Sequence, residues 1–189
     1  MELFYDLEIE KCIPDRKSVI DSRYRYCKGW TDFSGMGVSV IGFAIDNEPV
    51  SFEVRPFDSF NRLLAYNPVV IGFNSKNFDD KVLNAQGIKI RTHIDLLDDL
   101  RYSAFGSTDW RRTPRGHKYS LGEIAKANGM QKLEDGVNAP ELWQDGLKQR
   151  VIDYCMSDVE IMRNIYLKFI EGVLINPNTN EFFSPPIPF

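Results

Sequence analysis

The 189-residue chain is 43% hydrophobic and 26% charged, enough apolar material for one domain (1–189) with a sizeable core and too little polarity for a disordered chain. Its net charge of −4 excludes a protein that coats nucleic acid by charge alone, while leaving room for local basic patches. No apolar run approaches the roughly 20 residues of a membrane span, and no charged-then-apolar leader opens the sequence, so a cytoplasmic protein is expected.

Residues 2 to 10 alternate. Leu3, Tyr5, Leu7 and Ile9 face one side of a strand, and Phe4, Asp6 and Glu8 the other. An irregular insertion follows over 11–37, in which Lys11, Arg16, Lys17, Arg23, Arg25 and Lys28 precede Trp30. The segments "VSVIGFAID" and "VSFEV", joined around Asn47-Glu48-Pro49, read as a hairpin. "DSFNRLLAY" reads as a short helix, and "VVIGFN" as a strand buried on both faces. "NFDDKVLNAQG" is helical and closes on a glycine, and "IKIRTHIDLL" offers a further strand. "SLGEIAKANG" opens on a capping-box pattern, with Glu123 three residues after Ser120. The longest helix runs from about 147 to 172, with Val151, Cys155, Val159, Met162, Tyr166, Phe169 and Val173 as its apolar stripe. The tail 173–189 is turn-rich and proline-rich, a small hairpin and an extended end. Three hairpin-linked strands followed by alternating helices and strands give an α/β fold with a mixed sheet flanked by helices.

Cys12, Cys27 and Cys155 contain no C-x-x-C pair, and with only His93 and His117 available a structural zinc site is not expected. Reduced thiols in a reducing compartment fit better, with Cys155 in the core.

The acids carry the functional signal. Asp6 and Glu8 stand two apart on a strand, about 7 Å along the chain, so both carboxylates leave the same face. Taken alone they fit either a solvated edge or a divalent-cation site, to which hard oxygen ligands suit Mg2+ or Mn2+. Asp79 and Asp80 follow a buried strand that ends through Gly72 and Asn74, at the kind of strand end where α/β sites assemble. Asp80 needs only the helix dipole as its explanation. Asp158 sits roughly 60° from the centre of the long helix's apolar stripe and leans coreward, with Tyr154 one turn before it.

Asp6-Leu7-Glu8, Asn74-x-x-x-Phe78-Asp79 and Tyr154-x-x-x-Asp158, in that order, resemble the three exonuclease motifs of the DEDD superfamily, DEDDy branch, on the RNase H-like fold. The resemblance spans about residues 3–166 and takes in "HIDLL" at 93–97 and "SLGEIA" at 120–125. It implies an RNase H-like mixed five-stranded sheet. His93 and Asp98 also satisfy H-x-x-x-x-D, the third motif of the other branch, but they fall on an expected strand 14 residues past Asp79, and the late helix would then have no explained acid. His93 reads instead as a structural residue near the sheet. Phe73 stands where the family carries histidine, and the 11–37 insertion is a departure that bears on substrate preference.

The resemblance implies a 3′–5′ exonuclease that hydrolyses DNA or RNA from single-stranded 3′ ends to 5′-mononucleotides. Asp6, Glu8, Asp79 and Asp158 would hold two divalent ions, Mg2+ or Mn2+, about 3.5–4 Å apart, with Asp6 bridging and the Tyr154 hydroxyl orienting the attacking water. Asn74 and Phe78 belong to the same motif set and are candidate substrate-binding residues. Arg111, Arg112, Arg115 and Lys118 are candidate phosphate contacts, and Trp110 or Tyr119 could stack a base; a solvated loop is the plain alternative. Tyr24, Tyr26 and Trp30 divide between substrate contacts and packing, and Trp143 reads as packing. Two other functions stay open: an RNase H-like structure-specific endonuclease, and a non-catalytic nucleic-acid-binding module on the same fold. No membrane association is expected, and a replication or repair partner is not identified by any motif.

Overall fold

The computed structural model describes residues 1–14, 20–133 and 138–185. Its centre is β1 (Glu2–Glu8), and the alternation in that strand explains why the fold has two faces. Leu3, Tyr5, Leu7 and Ile9 enter one apolar core, whereas Phe4 enters the other. β1 pairs antiparallel with β2 (Val40–Ile45) and parallel with β4 (Val69–Gly72). β3 (Ser51–Glu53) lies outside β2, and β5 (Ile94–Asp95) lies outside β4. The sheet order is therefore β3-β2-β1-β4-β5, the expected mixed five-stranded α/β arrangement.

One face is covered by α2 (Asp58–Leu64) and α3 (Asp79–Ala85), whose Phe60, Val82 and Leu83 are fully buried beside Tyr5 and Phe43. The other carries α4 (Leu96–Phe105), α5 (Leu121–Ala127) and α7 (Lys148–Ile170), with Leu96, Leu100, Ile124, Val159 and Phe169 packed on Phe4 and Ile71. The periodic stripe of α7 runs along β1 and β2. Val173 was expected on that stripe, but the helix ends at Ile170 and Val173 is exposed beyond the cap.

Three local expectations differ from the structure. The strand expected over 88–97 pairs only at Ile94–Asp95, because the Asp95 carboxylate accepts the Leu97 amide and starts α4 immediately. The helix α6 (Ala139–Gln144) begins with a proline in its first turn and has no counterpart in the expected elements. Val69, at the head of the strand expected to be buried on both faces, is exposed, while Val70 and Ile71 are buried. His93 is structural, as expected: its Nδ1 accepts the Val70 amide at 3.0 Å.

The described residues of the insertion fold against the body. Cys12 bridges Tyr26, the Lys11 amide donates to the Met36 carbonyl, and a short helix α1 (Phe33–Met36) precedes β2. The Gln144 amide on α6 donates to the Glu10 and Arg25 carbonyls, and the Tyr24 hydroxyl to Asp145. Arg16 and Lys17, counted among the basic residues before Trp30, lie outside the described residues. In the tail, Ile175 and Phe182 form an antiparallel bridge, and the final four residues lie outside the described set. Among the described residues no helix is long and apolar enough to cross a membrane.

Close approach of α7 to the sheet depends on Gly42, which is opposite Asp6 in the β1–β2 register. A Cβ there would stand 3.0 Å from Cys155 Sγ and 3.2 Å from both the Cys155 carbonyl and Val159 Cγ2. Because one of those neighbours is helix backbone, Gly42→Ala should push α7 outward and lower stability by about 1–3 kcal/mol. Urea unfolding of the variant measures this; an unchanged midpoint would mean that the helix yields freely.

Candidate functional site

β1 delivers Asp6 and Glu8 to the face covered by α7, because they share the parity of Phe4. Glu8 is buried at the carboxyl end of the strand, where its carbonyl accepts the Ser39 amide at 2.8 Å and the Ser39 hydroxyl at 2.9 Å. α7 adds Tyr154 and Asp158 one turn apart, both buried, and the Cys155 thiol between them donates to the Asp6 carbonyl at 3.6 Å.

Asp79 arrives by a different route. β4 ends at Gly72, where any Cβ would collide with Ser75 Oγ, and the chain turns through Asn74 with φ of 60°. The buried Asp95 carboxylate accepts the Asn74 amide at 2.7 Å and the Lys76 amide at 3.1 Å, which fixes this loop. Phe78 then caps α3 and Asp79 opens it, buried. Asp80 does more than complement the helix dipole. It is buried, its carboxylate accepts the Tyr5 hydroxyl at 2.6 Å, and it also accepts the Thr92 amide at 2.9 Å and hydroxyl at 2.8 Å.

Asp6 and Glu8 lie in the electrostatic field of Asp79 and Asp158, while Asp79 also feels Asp80 and Asp95. Burial, then the charges of Asp79 and Asp158, hold Asp6 well above the usual carboxylate range. Burial and the charges of Asp6, Asp158 and Asp79 do the same to Glu8. Burial pushes Asp79 up to about 7 against the lowering pull of Ser75, and raises Asp158 against the pull of Lys132. The Tyr154 hydroxyl is also raised, first by burial and then by Asp158, Glu8 and Asp6.

Lys132 belongs to none of the sequence motifs. Its ammonium lies 2.7 Å from Asp158 Oδ2 and 4.8 Å from the centre of the Tyr154 ring. It comes from the segment after α5, 26 residues before its partner, so no local pattern announces it. Among the described residues the other Asp158 oxygen, Oδ1, is buried with no hydrogen-bond partner at good geometry, although Tyr154 on the preceding turn interacts with the same carboxylate. Among the described residues no three His, Cys, Asp or Glu side chains are drawn into a chelating cluster. The donor set nonetheless fits a hard divalent cation: carboxylate oxygens only, an orphaned buried oxygen, and mutual repulsion that a cation relieves.

Of the predicted substrate contacts, Asn74 and Phe78 lie in the loop that leads into Asp79, and Trp110, Arg111, Arg112, Arg115 and Lys118 are exposed. Trp110, Arg111 and Arg112 form an exposed 3-10 turn, with Arg111 paired to Asp109 at 2.9 Å. Arg115 is exposed, and Lys118 is 3.7 Å from Glu123. Tyr119, expected as an alternative stacking residue, is buried among Phe105, His117 and Phe183 and is unavailable to a base. Trp30 shows the reverse: it is 67% exposed and touches Phe78. Trp143 packs beside α7 with Lys148 over its ring, and Cys155 is fully buried.

Comparison with solved structures finds the fold in a family B DNA polymerase from the hyperthermophilic archaeon Pyrobaculum calidifontis, with a TM-score of 0.57 and 16% identity. The match covers 95% of this chain and 26% of that one, so this chain spans about a quarter of the polymerase's length. No curated protein sequence matches the chain. The RNase_H_2 family, of the RNase_H superfamily, matches residues 20–170, a stretch that contains Asp79, Tyr154 and Asp158 and begins after β1. The chain belongs to the RNase_H_2 family of the RNase_H superfamily.

Proposed function

We propose that the chain is a nuclease of the DEDDy type, a 3′–5′ exonuclease that hydrolyses DNA or RNA from its 3′ end to 5′-mononucleotides. The reading is carried by one observation: α7 lies on β1 so that the Cys155 thiol, between the buried Tyr154 and Asp158, meets the Asp6 carbonyl at 3.6 Å, beside the buried Glu8. Membership of the RNase_H superfamily supports a hydrolase acting on nucleic acid. The fold's occurrence in a DNA polymerase is consistent with that substrate.

The four acids would hold two divalent cations, Mg2+ or Mn2+, which supply Lewis-acid charge at the phosphate and lower the pKa of an attacking water. Asp158 offers for this its Oδ1, unpartnered among the described residues. Lys132 holds the other oxygen and so fixes the carboxylate's rotamer. Tyr154 keeps its proton, since burial and three neighbouring acids all oppose ionisation. It therefore acts as a hydrogen-bond donor that orients water, and not as a base. Asn74 and Phe78 shape the loop ahead of Asp79. Trp110, Arg111, Arg112, Arg115 and Lys118 would reach the substrate strand beyond the acids, the exposed Arg111–Asp109 pair being weak enough to exchange for a phosphate.

Single-stranded DNA and RNA labelled at the 5′ end, incubated with Mg2+, Mn2+ or chelator, test the proposal. A metal-dependent ladder shortening from the 3′ end is expected; internal cuts would mark an endonuclease, and binding without cleavage a non-catalytic module. Asp158→Asn should reduce the ladder to background with an unchanged far-ultraviolet spectrum. Tyr154→Phe should lower kcat by about 100-fold while leaving substrate affinity nearly unchanged.

The raised acids also set a pH dependence. Asp79 titrates near 3.8 unfolded and about 7 folded, so the folded state takes up a proton between those values. Its contribution is full below the lower value and lost as pH rises through the upper one, and Asp6, Glu8 and Asp158 act in the same sense. In chelator the melting temperature should be several degrees lower at about pH 8 than at about pH 5.5, and Mg2+ or Mn2+ should restore it at the higher pH alone. A melting temperature indifferent to both cations at the higher pH would remove the metal site.

Replacing Arg111, Arg112 and Arg115 together with glutamine should flatten the salt dependence of oligonucleotide binding. An unchanged slope would return that turn to ordinary solvated surface.

A further inference from the structure

The insertion contributes an aromatic that the acid motifs do not include. Trp30 is 67% exposed, yet its ring is held: it meets Phe78 edge-on with 6.3 Å between centroids, and Phe33 stands 6.4 Å from the same Phe78. Phe78 is the residue directly before Asp79, so the aromatic group borders the acid cluster through the chain itself.

The turn that carries Trp30 is fastened on several sides. Asp32 accepts the Lys28 amide at 2.8 Å and the Gly35 amide at 3.2 Å. The Met36 carbonyl is tied to the Lys11 amide at 3.0 Å, three residues past Glu8, and Gln86 at the end of α3 donates to the Ser34 carbonyl at 3.1 Å. A packing tryptophan held this firmly would be expected in the interior; here the indole is anchored by an edge and left open to solvent. Two ammonium groups belong to this neighbourhood: Lys81 lies 5.7 Å from the Phe33 ring centre, and Lys28 is exposed two residues before Trp30, with Asp32 two residues after it. An anchored, solvent-facing ring with exposed lysines in the same neighbourhood matches a nucleotide, which offers a π face next to a phosphate.

We propose that Trp30 is the stacking residue for an unpaired base close to the 3′ end, and that the insertion thereby gives the site its preference for single strands. This rests on the exonuclease reading. It is separate from the basic turn at 110–115, and it follows from stacking that a base engaged in a duplex is not available to the ring.

Trp30→Ala and Trp30→Phe, in the full chain, test it by steady-state cleavage of a single-stranded oligonucleotide. Trp30→Ala should raise KM on the order of tenfold with kcat largely kept, and Trp30→Phe should recover most of the loss. A second oligonucleotide, whose last few 3′ nucleotides carry tetrahydrofuran in place of the base, should be handled equally by wild type and Trp30→Ala. An unchanged KM in Trp30→Ala, or an equal loss on the baseless oligonucleotide, would overturn the proposal. Anisotropy of a labelled strand in chelator separates the two readings. If the wild type binds in chelator yet does not cut when Mg2+ or Mn2+ is supplied, the exonuclease reading fails and the Trp30→Ala affinity alone decides the stacking role. If it neither binds nor cuts, both fall.

Discussion

Burial of carboxylates is the constraint around which this site is arranged. Asp6, Glu8, Asp79 and Asp158 each hold protons more tightly than a free acid, and burial is the first cause in every case. Lys132 lowers three of them, Asp6, Glu8 and Asp158, but a single ammonium cannot balance the set. Such a grouping costs stability at neutral pH, and chains keep arrangements of this kind where the cost serves a ligand of opposite charge.

The supports around the acids are correspondingly stiff. Gly42 lets α7 lie close enough for Cys155 to touch the Asp6 backbone. Asp95 holds the loop before Asp79 through two of its amides while capping α4 with the same carboxylate. None of these groups would contact substrate, yet each fixes where a reacting group can stand, at the tolerance of a few tenths of an ångström that positioned chemistry needs.

Much of this was legible in the sequence because it is periodic. The alternation of β1 fixed which face would carry Asp6 and Glu8, and the three-four step of α7 placed Asp158 toward the core. What was not legible is tertiary. Lys132 meets Asp158 across 26 residues with no pattern linking them. The burial of Tyr119 and the exposure of Trp30 depend on which neighbours the fold supplies, and an aromatic flanked by basic residues reads the same either way. The helix α4 was missed for a local reason: Asp95 ends a strand and caps a helix at once, so the expected strand absorbed the first helical residues.

The buried bond between Tyr5 and Asp80 has a geometric outcome. Tyr5 precedes Asp6 on β1, and Asp80 follows Asp79 on α3, so the 2.6 Å contact acts as a gauge for the separation of the two backbone segments that carry Asp6 and Asp79. That gauge is sealed in the core with Thr92, out of reach of solvent and of the insertion's surface. Loops at the rim are thereby free to diversify toward new strands and ends while the separation of those two segments stays calibrated.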